Sequence, residues 1–123
     1  MNEQRAHIQQ HIQQRTVDGA VIVEVVGELD QEVASALRAA VLDGLEQAAG
    51  TACVVDLTDV TYLGSSGLSA LIAAARDASG RSEALRIVVD ANRPVIRPIE
   101  ITGVDKVLSL YHSVAEALGS SSG

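Results

Sequence analysis

The sequence predicts an α/β fold, a small mixed sheet of roughly four to five strands, mostly parallel, with about four helices covering it. Three observations carry this. β-branched residues cluster at 20–26, 52–57 and 85–89, with Ala- and Leu-rich stretches between them. Only the first pair of strands has a tight hairpin signal, Asp18-Gly19. The later strands are joined through helices, which makes them mostly parallel with right-handed crossovers. Helical spacing is clear after Asp30, where Val33, Leu37, Ala40, Val41, Leu45 and Ala48 recur on one continuous face.

The elements follow in order. Ala6 to Gln14 alternates, with Ala6, Ile8 and Ile12 on one side and His7, Gln9, His11 and Gln13 on the other, as in a half-exposed edge strand. Ala20 to Val26 is the apolar strand that pairs with it. Gly27-Glu28-Leu29-Asp30 ends that strand; Asp30 suits an N-cap, Glu32 lies in the first turn, and Gly50 is a plausible stop. Strand 52–57 leads through Thr58–Leu63 into the small-residue turn Gly64-Ser65-Ser66-Gly67, which opens a helix carrying Leu68, Leu71, Ile72 and Ala75 on one face and ending at Ser79-Gly80. Leu85 to Val89 is a buried strand. Asn92 caps a short helix that passes Pro94 and breaks near Pro98 or Gly103. Val107 to Tyr111 is a last short strand, and Ser113 caps a helix reaching Leu118. The expected organisation is one domain over residues 1–123, with a core from about 6 to 118 and a disordered tail at 119–123.

Composition narrows the function. Apolar residues are 47% of 123, enough for a real core, and with no Phe or Trp that core must be aliphatic. Net charge is −7 with a single lysine, Lys106, so nucleic acid phosphates and anionic membranes should repel the chain. Cys53, the one cysteine, sits in an apolar strand and reads as a small buried hydrophobe in a reducing compartment. There is no basic-then-apolar leader and no 18-residue apolar run, which predicts a soluble, unsecreted protein.

The serine turn is the stretch with chemistry in it. It holds two hydroxyls where a helix begins, beside free N–H groups and the positive end of the dipole. A phosphate added there is tolerated by the fold while it changes the surface sharply, so a serine placed this way can act as a switch. It does not read as a hydrolase: a nucleophile elbow needs Gly-x-Ser-x-Gly, whereas Leu63 stands two before Ser65 and Leu68 two after Ser66. None of His7, His11 and His112 offers a base, and His7 and His11 are roughly 13 Å apart along a strand, too far to share a metal. No Walker lysine follows Gly64 and Gly67, and no G-x-G-x-x-G occurs. No catalytic, metal or cofactor site is expected. Arg93 and Arg97, at i and i+4, read as a solvated face or a carboxylate pair ahead of an anion site, and Tyr62 and Tyr111 as core or rim packing.

Three motifs in order, Gly27-Glu28-Leu29-Asp30, Asp56-Leu57 through Thr61-Tyr62-Leu63-Gly64-Ser65-Ser66-Gly67-Leu68, and Arg93-Pro94-Val95-Ile96-Arg97-Pro98-Ile99 to Gly103-Val104-Asp105-Lys106-Val107, resemble the STAS domain of anti-sigma factor antagonists. The resemblance covers residues 6 to 118. It implies a cytoplasmic regulator whose unphosphorylated form binds an anti-sigma factor that is also a serine kinase, and so frees a sigma factor. The kinase would phosphorylate the serine opening the second helix, here Ser65, with Ser66 the second candidate, and a phosphatase would reset the switch. Glu28, Asp30, Leu63, Gly64, Ser66, Gly67 and Leu68 would form the partner surface. The sequence departs at one position: many phosphorylated members carry Asp directly before the serine, where this chain has Gly64. Two other readings use the same fold, an unphosphorylated accessory subunit of a transporter or signalling assembly, and a small nucleotide-binding regulator.

Overall fold

The computed structural model describes residues 11–48, 51–81, 83 and 85–119. Strands β1 (Ile12–Val17), β2 (Ala20–Leu29), β3 (Cys53–Leu63), β4 (Leu85–Val88) and β5 (Ser109–Tyr111) form one sheet in that spatial order. β1 pairs antiparallel with β2, and the other neighbours are parallel. Helices α1 (Gln31–Ala48), α2 (Ser65–Gly80), α3 (Arg93–Thr102) and α4 (Val114–Ala117) connect and follow the strands. The predicted α/β class, strand polarity and helix order are all found.

Local chemistry accounts for the frame. Asp18 (φ 52°) and Gly19 (φ 86°) both sit in the left-handed region, the conformation a two-residue hairpin requires. That turn sets Val17 against Ala20, so β1 runs up to it and is stapled by an ion pair from Arg15 to Glu24 at 2.9 Å. β1 therefore lies later than the expected Ala6–Gln14. Residues 6–10 fall outside the described residues, and His11 is not a solvent-facing strand residue: it packs over Gly27, whose Cβ position would lie 3.0 Å from its ring. The stop expected at Gly50 and all of the expected tail except Gly119 also lie outside the described residues.

One face of the sheet, Val21, Val23, Val25, Cys53, Val55, Leu57 and Ile87, is covered by α1, α2 and α3 through residues such as Leu37, Val41, Leu71 and Ile99. The other carries a smaller cluster, Ile22, Val54 and Val88 under α4. Ser113 caps α4, its Oγ accepting from Glu116 N at 3.0 Å while the Glu116 carboxylate accepts from His112 N at 2.8 Å. Cys53 is buried, and burial, with the charge of Glu83, pushes its thiol up to about 11.

Three elements differ from expectation for physical reasons. β3 is longer than 52–57 because its pairing with β2 continues to Leu29 opposite Leu63, through two register shifts that each leave an extra residue on β3. α2 turns a different face inward: Gly67, Ala70, Leu71, Ala74 and Ala78 are buried, while Leu68, Ile72 and Ala75 are half-buried, because small residues let it lie close to α1 and the sheet. An Arg38–Asp77 ion pair at 3.1 Å ties the two helices together, and that carboxylate, through hydrogen bond and charge, holds Arg38 more firmly in its charged form. β5 begins at Ser109 because Val104–Lys106 forms a 3-10 turn, leaving Val107 exposed.

Candidate functional site

β2 and β3 end side by side, with Glu28 opposite Tyr62 and Leu29 opposite Leu63, and each strand leads directly into a helix, α1 and α2. The Glu28-Leu29-Asp30 turn and the serine turn are thus neighbours. Asp30, Gln31, Tyr62, Gly64, Ser65 and Ser66 line one small hollow of about 170 Å³.

The delivery of the serine turn depends on the bulged half of β3. The Asn92 side-chain amide donates to three β3 carbonyls, Leu57 O and Val60 O at 2.8 Å and Thr58 O at 3.2 Å. Asp56 Oδ1 accepts from Thr58 N at 3.0 Å and from Thr58 Oγ1 at 2.8 Å. The Asn92 bonds give partners to backbone carbonyls on the stretch of β3 where the register shifts, and the Asp56 bonds fix the turn of the chain at Thr58. Asn92 is the N-cap of α3 by position, but its side chain makes no cap bond, being committed to β3. α3 continues through Pro98 and ends at Gly103, whose φ of 78° closes it as a left-handed cap.

Ser65 is exposed and is the first residue of α2. Its side chain does not cap the helix. Gly64 holds the cap position in an extended conformation, and the first helical bond runs from Leu68 N to Gly64 O at 3.0 Å. The N–H groups of Ser65, Ser66 and Gly67 precede that bond, at the positive end of a 16-residue helix. Gly67 is there for close approach: a Cβ on it would come 2.5 Å from Leu63 Cδ1 and 2.9 Å from Leu29 Cγ.

The residues expected to meet a partner divide by exposure. Glu28, Ser65 and Ser66 are exposed; Asp30, Gly64 and Leu68 are half-buried; Leu63 and Gly67 are buried. Leu63, at 4% exposure, therefore cannot supply apolar docking area as expected, since its side chain is packed against the start of α2. The Asp30 carboxylate accepts from Val33 N at 3.0 Å and so caps α1. Tyr62, read as core or rim packing, is 55% exposed. The bulges explain this. With strict alternation broken, Thr61 and Tyr62 both face outward between buried Val60 and Leu63. Arg93 and Arg97 are exposed, as expected of a solvated face. Among the described residues no group of three or more His, Cys, Asp or Glu could hold a metal ion, and no helix is long and apolar enough to cross a membrane.

A five-stranded, mostly parallel sheet with a serine turn opening the second helix, beside the Gly-Glu-Leu-Asp turn, defines a STAS-type domain. Residues 12–111 match the family described as Mlab, STAS domain, and the chain belongs to that family. It is similar to the anti-sigma-F factor antagonist RsfB of Mycobacterium tuberculosis, 33% identical over 101 residues, 82% of this chain and 80% of that one. The crystal structure of an anti-sigma factor antagonist from Mycobacterium paratuberculosis is 32% identical, with a TM-score of 0.76 over 91% of this chain and 93% of that one. The Bacillus cell fate determinant SpoIIAA in its phosphorylated form shares the fold at 19% identity, with a TM-score of 0.62 over 88% of this chain and 96% of that one. The chain is a STAS domain of the anti-sigma factor antagonist kind; these relatives are regulators rather than enzymes.

Proposed function

We propose that the chain binds an anti-sigma factor of the serine-kinase type through the serine turn, so releasing a sigma factor, and that phosphorylation of Ser65 ends the binding. A phosphatase restores the binding form. The protein acts in the cytoplasm, where sigma factors meet RNA polymerase, and it contributes a surface and an acceptor hydroxyl without catalysing a reaction of its own. The observation that carries this reading is the exposed Ser65 hydroxyl at the first position of α2. A phosphoryl group there adds nearly two negative charges beside helix N–H groups that stabilise it, so the domain stays folded while the surface changes sign. Around it, Glu28, Asp30, Gly64, Ser66 and Leu68 frame the contact, with Leu63 and Gly67 setting the turn from beneath. The carboxylates of Glu28 and Asp30 suit Arg or Lys on the partner.

The test is to incubate the protein with ATP and each kinase-type anti-sigma factor encoded in the same genome, map the phosphopeptide, and titrate the wild type, Ser65→Ala and Ser65→Asp against the same proteins. The expected result is phosphate on Ser65, retained binding by Ser65→Ala and a loss of about a hundredfold in affinity for Ser65→Asp, from charge buried against the partner. A complex that survives full modification, or phosphate on Ser66 alone, overturns the Ser65 switch. Equal capture of a permease or ATPase component by wild type and Ser65→Asp would point instead to the accessory-subunit reading.

A further inference from the structure

The exposed side of α3 carries Arg93, Arg97 and Glu100, but one flank of it is apolar. Val95 and Ile99 point into the core, and the flank beside them presents Pro94, Arg97, Pro98 and Ile101 at i, i+3, i+4 and i+7. Ile101 is 71% exposed and, with the half-exposed Tyr62, lines an open groove of about 580 Å³ between α3 and the end of β3. Arg93 and Arg97 also line it.

The charge at this groove runs against that of the whole molecule. The chain has net charge −7. Arg15, Arg38 and Arg81 each face a carboxylate, on Glu24, Asp77 and Glu46. The Arg93 and Arg97 side chains make no ion pair or hydrogen bond among the described residues. Two unpaired guanidinium groups beside an apolar floor of Pro94, Pro98, Tyr62 and Ile101 complement one kind of occupant, a segment that is acidic and carries apolar anchors. Tyr62 lines both this groove and the hollow beside Ser65.

We propose that this groove is a second docking point for the protein partner, taking an acidic segment with Leu- or Ile-type anchors: the apolar side chains seat against Tyr62 and Ile101, and Arg93 and Arg97 pair with its carboxylates. The proposal rests on the reading that a protein partner binds beside Ser65, and it names the chemistry of the part of that partner reaching past the serine. Nucleic acid and anionic membrane are the poorer occupants, because two arginines stand against the repulsion of the remaining surface.

The groove is tested separately from the switch. Uniformly 15N-labelled full-length protein is titrated with a short synthetic peptide of Glu and Asp carrying two leucines, and with its Gln and Asn counterpart. The acidic peptide should shift the amides of residues 61–63, 93, 95–97 and 99–101, and the neutral one should not. Arg93→Gln with Arg97→Gln should keep the spectrum folded and weaken binding about three- to tenfold, the size expected of two exposed ion pairs, with the difference shrinking in high salt. No shift at these residues, equal shifts with the neutral peptide, or a groove that closes by self-association or binds phosphatidylglycerol vesicles in preference overturns the proposal. The same double variant titrated against the kinase-type anti-sigma factors separates the two ideas. Wild type and variant binding equally well overturns the groove and leaves the serine reading intact. No binding by the wild type overturns the serine reading, while the peptide titration still decides the groove.

Discussion

The Tyr62 phenol occupies the space a side chain on residue 64 would need: a Cβ built on Gly64 would lie 2.6 Å from the Tyr62 hydroxyl and 3.0 Å from its ring carbon Cζ. Glycine before the serine is therefore matched to the tyrosine two residues earlier. Many phosphorylated members of the resembling family carry Asp at this position, and here such a carboxylate and the phenol would compete for one place. Since Tyr62 is half-exposed and the contact is with the far end of its side chain, the ring can yield without disturbing the core. Gly64→Asp is expected to swing Tyr62 outward and to change unfolding free energy by less than about 1 kcal/mol. In a double-mutant cycle with Tyr62→Ala, measured by urea unfolding, the coupling should account for most of the single-mutant cost. NMR contacts of the Tyr62 ring report its displacement; a ring that stays over residue 64 in Gly64→Asp contradicts the pairing.

Asn92 is the second point on which the serine turn depends. Its amide serves Leu57, Thr58 and Val60 carbonyls at once, and Leu57 and Val60 are buried. Asn92→Ala should cost about 1–3 kcal/mol, the penalty for stranding buried acceptors. Asn92→Asp should cost at least as much, since a carboxylate brings no donor to those oxygens. Amide exchange should rise at residues 58–63 ahead of the rest of the sheet, and unchanged exchange there would dissociate Asn92 from the bulge.

These two sites show where local rules stop. The hairpin at Asp18-Gly19 and the cap at Asp30 are legible because each is decided by residues adjacent in sequence, whereas the end of α3 is open between Pro98 and Gly103 until the left-handed Gly103 closes it. The commitment of Asn92 is not legible, because its acceptors lie 32 to 35 positions earlier and are backbone carbonyls that carry no side-chain signature. The buried face of α2 departs from the expected one because hydrophobicity favours Leu68 and Ile72, whereas close packing on the ends of β2 and β3 and on α1 selects Gly67, Ala70 and Ala74. The serine turn itself is legible as the opening of a helix, with Gly64 at the cap and Ser65 the first helical residue. Tyr62 was hidden by the bulges, which break the alternation by which a strand's outward residues are read.

Cys53 makes stability depend on pH at the alkaline end. Its thiol rises from the ordinary 9.0 to about 11, chiefly because burial disfavours the thiolate. The folded state therefore holds the proton longer than the unfolded chain. The contribution is complete below pH 9.0 and is lost as pH climbs through about 11. Urea midpoints of the wild type should fall faster over that range than those of Cys53→Ala, whose own deficit from the lost packing is constant with pH. At neutral pH the native thiol should resist alkylation by iodoacetamide and react only on unfolding. Prompt labelling of the folded protein would place the thiol within reach of solvent.

Asp30 and Ser65 stand at the starts of adjacent helices and should respond oppositely to substitution. Asp30 caps α1 through its carboxylate, so Asp30→Ala should cost about 1 kcal/mol. Ser65 makes no cap bond, so Ser65→Ala should lie within about 0.5 kcal/mol of wild type. Ser65→Asp puts a negative charge in the first turn of α2, where the dipole favours it by about 0.3–1 kcal/mol at low salt, so the variant should be as stable as the wild type or slightly more so. Denaturation of the three variants at low ionic strength measures the differences directly. A Ser65→Asp variant that loses partner binding while its unfolding midpoint holds or rises separates a surface switch from a folding defect; one that loses both together would mean that charge at residue 65 damages the domain itself.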